Sequence, residues 1–321
     1  MKSAQIQHQG KYFYVQFIKA FCALQVFFLH YFAGHGLREW MWIFNVAVPT
    51  FLLISAYLYG QRDNASFGWS FLKRRFHALS VIYYPFIFAV AVGLVIIGSQ
   101  PLYIIFRGLL ADFFYLGGGN HDWNLPGCGH LWFMTTLWLC YFGLFFFANK
   151  SKLRLMMTSW CGIVATLALI AIVGLVYRGN NMVFVPAYIL IYFNAGRIKN
   201  YVIIHPKATE ATSFVILLVG YIYMSFDLEH AFQYGIYFRF MVACFMALAY
   251  ITFFQAALSR HKGNKIVNYL ADISMEIYLI HHLFVYDQPL YISLPLTLVL
   301  SDILFRLSKI LNKWKISIRC H

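Results

Sequence analysis

Residues 14–32, YVQFIKAFCALQVFFLHYF, are apolar enough for a membrane helix, yet they enclose a lysine and a histidine. An ionisable side chain in hydrocarbon is costly and is kept for a partner or a task. Lys19 and His30 are therefore the first functional candidates. They lie eleven residues apart, within about 20° of three full helical turns and about 16 Å along the axis. Both are predicted on one face of one helix, turned toward the other helices. Lys19 is near enough to the helix start for its ammonium to snorkel to the interface. His30 has no such route.

The rest of the chain is of the same kind. Apolar residues make up 61% and charged residues 11%, with a mean hydropathy of +0.66. A soluble domain of this length would not carry that balance. Thirty-three phenylalanines and 23 tyrosines agree. The first apolar segment lacks a small-residue cleavage site and is followed by more spans, so it reads as a permanent helix and not a signal peptide. The net charge of +14 sits in short clusters beside apolar runs. That is a topology signal, and with no zinc-finger spacing or basic arm it excludes a nucleic-acid partner. The six cysteines include no C-x-x-C pair, and Cys22, Cys140, Cys161 and Cys244 fall inside apolar runs as small buried thiols.

A crossing helix needs about 20 residues. On that basis the chain is predicted to be an all-α integral membrane protein of about ten spans, near 14–34, 42–60, 78–98, 130–148, 157–176, 182–197, 210–226, 233–257, 271–287 and 290–308. Residues 101–116 read as a lipid-surface or re-entrant piece. The N-terminus, 61–77, 149–156, 198–209, 258–270 and the C-terminal tail hold most of the basic residues, among them Lys150, Lys152 and Arg154. The alternate connections hold Arg38, Arg107 and Arg178 with the acids Glu39, Asp112, Asp122, Asp227 and Glu229. The positive-inside rule then puts both termini in the cytoplasm. One domain is expected over 1–321, with a core of about 12–310 and a short tail at 311–321.

Further polar groups recur in the apolar segments. Glu276, at a depth comparable to Lys19, is its expected ion-pair partner, since a lone buried charge is strongly destabilising. The same segment, SMEIYLIHH (274–282), spaces Ser274, Tyr278 and His281 as one polar stripe, with His282 adjacent. His30 and one of this pair are expected to share a cavity. GCGHLWFM (127–134) places His130 beside two glycines that permit close backbone approach. No dedicated metal pattern such as H-E-x-x-H is present. Ser55, in FLLISAYLYG (51–60), has no neighbouring base and reads as helix packing. FLKRRFHALSVIYYP (71–85) sets Lys73, Arg74 and Arg75 before the third span, either as a topology signal or as a phosphate-binding group.

Together these residues resemble the acyltransferase 3 family of integral-membrane acyltransferases, the type that O-acetylates bacterial surface polysaccharides. Its basic residue, ten-residue spacer and histidine are matched by Lys19, AFCALQVFFL and His30, with Lys19 where the family usually has Arg. Its F-x-x-S-G-[FY]-L segment is similar to FLLISAYL with Ala56 in place of Gly, and its basic stretch before a proline to FLKRRFHALSVIYYP. Its H-L-W-F segment matches residues 130–133, and S-x-x-[IV]-Y-L-x-H matches Ser274 to His281. The resemblance implies ten spans with both ends inside the bacterial cytoplasmic membrane. It also implies acyl transfer, most often of acetyl, from a cytoplasmic acyl-CoA to a hydroxyl of a lipid-linked or surface polysaccharide.

For that chemistry His30 is the expected base, because neutral imidazole titrates near operating pH. Lys19 with Glu276 would support the donor, His281 and His130 would stand near the site, and Lys73, Arg74 and Arg75 would bind the CoA phosphates. Buried Lys, Glu and His would also suit a proton-coupled transporter or polysaccharide exporter. The two halves of the chain show no inverted repeat to support that alternative.

Overall fold

A computed structural model describes residues 13–37, 41–62, 67–117, 123–176, 181–225 and 235–319. Every regular element among them is helical. In chain order they are α1 (Phe13–Gly34), α2 (Ala47–Gly60), α3 (Trp69–Ile97), α4 (Leu102–Phe113), α5 (Trp132–Phe147), α6 (Ser151–Thr158) and α7 (Trp160–Val176), followed by α8 (Phe184–Ile204), α9 (Pro206–Ser225), α10 (Gly235–Leu258), α11 (Lys265–Asp272), α12 (Ser274–Ile280) and α13 (Leu290–Arg319).

Among the described residues, six helical stretches are long and apolar enough to cross a membrane: Phe13–Gly34, Trp69–Ile97, Gly129–Phe147, Pro206–Ser225, Arg239–Leu258 and Leu290–Asn312. Counting α6 and α7 as one span, bent by 85°, gives seven. Each remaining predicted span has a local reason for falling short. The 14 residues of α2 cover only part of the hydrocarbon. Arg197 and Lys199 interrupt the apolar run of α8.

The predicted 271–287 span is corrected most. It divides into α11, α12 and a 3-10 turn over His281–Leu283. Side chains compete there for backbone carbonyls: Ser274 Oγ donates to Ala271 O at 2.8 Å, and His281 Nδ1 donates to Tyr278 O at 2.7 Å. Residues 311–319, expected as the start of the tail, are helical and continue α13. The acids expected in the alternate loops, other than Asp112, lie outside the described residues.

Local chemistry sets the ends that matter. Asn264 caps α11 by accepting from the N–H groups of Ile266 (2.9 Å) and Val267 (3.3 Å). Gly98, with φ 65°, closes α3 in the left-handed conformation, donating to Leu94 O and Val95 O. The short α2 is central and packs on α1, α8 and α10. Leu52, Leu53, Ala56 and Tyr57 are fully buried in it. A Cβ on Gly60 would meet Tyr192 O at 2.1 Å, so glycine is what lets α2 and α8 approach there. The outward faces of α3, α7 and α9 remain apolar, as a lipid-facing surface requires.

α4 is a 12-residue helix lying against α3 and is too short to span. Leu102, Tyr103 and Phe106 are exposed on it, while Asp112 is turned inward and accepts from Leu125 N–H at 2.9 Å. Burial pushes the Asp112 carboxyl up to about 7 despite that hydrogen bond. α1 packs on α11, α12, α2 and α10, so both ends of the Lys19–His30 face are covered by helices from the C-terminal third.

Candidate active site

At the far end of α1, four histidines from three chain segments form one cluster. His30 comes from α1, His130 from the 3-10 turn that leads into α5, and His281 and His282 from the turn after α12. The His30 ring centroid lies 5.0 Å from that of His281 and 4.9 Å from that of His282. His130 stacks on His282 at 4.5 Å and sits 5.2 Å from His281. His130 and His281 are buried, whereas His30 and His282 are half-buried and reach the accessible side.

The helix breaks supply the partners that hold these rings. His130 Nε2 donates to Leu279 O at 3.1 Å, and the Tyr278 hydroxyl donates to His130 O. His282 Nδ1 is 2.7 Å from Gly127 O. Gly127 has φ +79°, a left-handed turn that favours glycine. Tyr286 closes the cluster, its hydroxyl 2.9 Å from His282 Nε2 and 3.1 Å from His30 Nδ1. His130 Nδ1 and His281 Nε2 are buried with no hydrogen-bond partner among the described residues. No group of histidine, cysteine or acid side chains among the described residues is placed to hold a metal ion.

The Lys19 end is built differently. Glu276 is buried at 1% exposure, and among the described residues neither carboxyl oxygen has a hydrogen-bond partner. Its charged neighbours are Lys19, Asp272 and Lys309, but among the described residues no ion pair joins it to Lys19. The expected contact is thus corrected to a proximity. Lys19 is on α1 and Glu276 on α12, and the break at Ile273 sets how α12 meets α1.

Of the three basic residues before the third span, only Arg75 turns inward. Lys73 and Arg74 are exposed, while the Arg75 guanidinium lies 5.2 Å from the Tyr59 ring centroid and 5.8 Å from that of Phe71. Arg62 lies over the same Tyr59 ring at 5.4 Å. Arg75 Nε is buried and has no hydrogen-bond partner among the described residues. Ser55 Oγ bonds to Leu52 O (2.8 Å) and the Tyr188 hydroxyl (2.9 Å), a packing role in keeping with the sequence reading. Sequence reasoning gave Tyr286 and Arg62 no role. The signal for Tyr286 was its i, i+4 spacing from His282, in a segment that reads as apolar.

A family model described as an acyltransferase domain matches residues 12–307. The chain belongs to the acyltransferase 3 family. Both ends of α1, the histidine cluster and the basic group at Arg75 lie within the matched domain. Its apolar helices and its family make it a multi-pass membrane acyltransferase. No curated protein and no solved structure matches the chain.

Proposed function

We propose that this acyltransferase 3 protein transfers acetyl from acetyl-CoA to a sugar hydroxyl of a lipid-linked or surface polysaccharide, at the bacterial cytoplasmic membrane. The observation that carries this reading is His30: a half-buried imidazole, backed by three others, whose Nε2 makes no hydrogen bond among the described residues. His30 Nε2 takes the proton from the acceptor hydroxyl as its oxygen attacks the thioester carbonyl. The carbon–sulfur bond then breaks, and the proton passes to the CoA thiolate, giving ester and free thiol.

The donor enters from the cytoplasm. Arg75, with Arg62, Arg74 and Lys73 around it, takes the CoA phosphates, for which a guanidinium offers two parallel hydrogen bonds. Lys19 lies about 16 Å from His30 along α1. It therefore acts on the donor's arm or the local field and not on the reacting carbonyl. Its ammonium cannot reproduce the paired hydrogen bonds of the Arg that is usual at this position.

Radiolabelled acetyl-CoA added to the purified full chain with membrane glycan from the source cell tests the reading. The expected result is label in the glycan matched by released thiol. Neither label nor thiol release, with acetyl-CoA and with longer acyl-CoA donors, overturns it.

A further inference from the structure

The hydrogen bonds around His30 form a line with one sense. His282 Nδ1 faces Gly127 O at 2.7 Å, and a carbonyl only accepts, so this nitrogen carries a proton. In the neutral ring Nε2 of His282 is then an acceptor, and the Tyr286 hydroxyl, 2.9 Å away, is its donor. Having spent its one proton, the Tyr286 oxygen accepts from His30 Nδ1 at 3.1 Å. The proton of His30 is thereby assigned to Nδ1, and the lone pair is left on Nε2.

We propose that Tyr286 and His282 are positioning residues that fix the tautomer of His30, so that Nε2 is the base in acyl transfer. The assignment rests on the acyl-transfer reading above and adds to it the groups that prepare the base. Tyr286 is held for the purpose from both sides. His282, one helical turn before it, is anchored by the left-handed turn at Gly127. Gly34, one turn after His30 on α1, leaves room for the tyrosine, since a Cβ there would lie 2.6 Å from Tyr286 Cδ1 and 3.2 Å from its Cα.

The other two histidines have separate arrangements. His130 donates to Leu279 O and His281 to Tyr278 O, which leaves each without a bond to His30. They wall the base without setting its proton. When His30 Nε2 has taken the acceptor's proton, Nδ1–H continues to donate to Tyr286, and the cation is held without moving a ring. The line from His30 to Gly127 therefore orients the base in both of its states.

The test uses the purified full chain with acetyl-CoA, comparing wild type, Tyr286→Phe, His282→Gln and His30→Ala, with ring-15N-histidine spectra of the wild type. Tyr286→Phe is expected to lower kcat about 100-fold with the donor KM within about 2-fold, the loss that follows when a base loses its orienting partner. His282→Gln, whose amide oxygen still accepts from Tyr286, is expected to lose less, about 10-fold. The spectrum, with the His30 signal identified by its loss in His30→Ala, should show protonated Nδ1 and bare Nε2. Wild-type kcat in Tyr286→Phe beside an inactive His30→Ala overturns the positioning role and keeps the enzyme. A wild-type proton on His30 Nε2 overturns it whether or not Tyr286→Phe and His282→Gln fold. Full activity in His30→Ala instead overturns the underlying assignment of the base.

Discussion

The two ends of α1 solve the problem of polar groups in a membrane in opposite ways. Around His30 the end of α12 provides carbonyls, and the turn after it a phenol, that hold the rings in set orientations. Around Lys19 the ionisable groups are near one another, yet among the described residues Glu276 has no hydrogen-bond partner and forms no ion pair with Lys19. A neutral imidazole has a single N–H to satisfy, which one carbonyl does, whereas a buried charge needs a close counter-charge and further hydrogen bonds to offset its desolvation. In the acyl-transfer reading the first end is preorganised for chemistry. In the acyl-CoA reading, the second is completed when the polar arm of the donor enters.

Four variants sharpen or break that contrast. The largest effect is expected at Arg75, whose buried Nε is a hydrogen-bond donor without an acceptor among the described residues. Arg75→Ala should raise the acyl-CoA KM by about 10- to 100-fold, the worth of one or two charge-assisted hydrogen bonds. Lys73→Ala, at an exposed position, should change it by about 2-fold or less. Equal effects at the two positions would reduce the basic group to a diffuse field.

A smaller effect is expected at Glu276. Glutamine replaces a buried carboxyl group that has no hydrogen-bond partner among the described residues, so Glu276→Gln should fold with a yield and melting temperature equal to or above those of wild type. The sequence alone pointed the other way, because it suggested an ion pair whose loss would lower yield. A collapse in folded yield would show that Lys19 and Glu276 do pair, and the contrast between the two ends would fail.

The smallest effect belongs to Asp112, an intermediate case outside the spans, with one oxygen bonded to Leu125 N–H and the other without a partner. Its carboxyl is raised from 3.8 to about 7, so the folded state binds more protons than the unfolded one between those values. Stability from this group is therefore greatest below about pH 4, falls as pH rises toward about 7, and is level above. Asp112→Asn should flatten this fall, read as melting temperature against pH in detergent. An unchanged slope would mean that Asp112 titrates as an exposed acid.

Much of this arrangement was legible in the sequence. The long apolar runs of α1, α3, α9 and α13 announce themselves, and the eleven-residue spacing puts Lys19 and His30 on one face. His130 and His281 were nameable because each stands in a short motif that matches the acyltransferase 3 pattern. The division of residues 271–287 was not legible. It depends on Ser274 and His281 taking carbonyls from their own backbone, a choice settled by neighbouring helices. Nor was Arg75 separable from Arg74, since the difference is helical phase against Tyr59 and Phe71. Tyr286 was hidden most deeply. Its meaning comes from His30, which lies 256 residues away in sequence and a single hydrogen bond away in space.

The central claim is that His30 is the base of an acetyl transfer. The most direct measurement is transfer of radiolabelled acetyl from acetyl-CoA to native membrane glycan by wild type and by His30→Ala at matched folded protein. Label in the wild type, reduced by at least about 100-fold in the variant, is the predicted result. Equal label in both would contradict the claim and move the base to another member of the cluster.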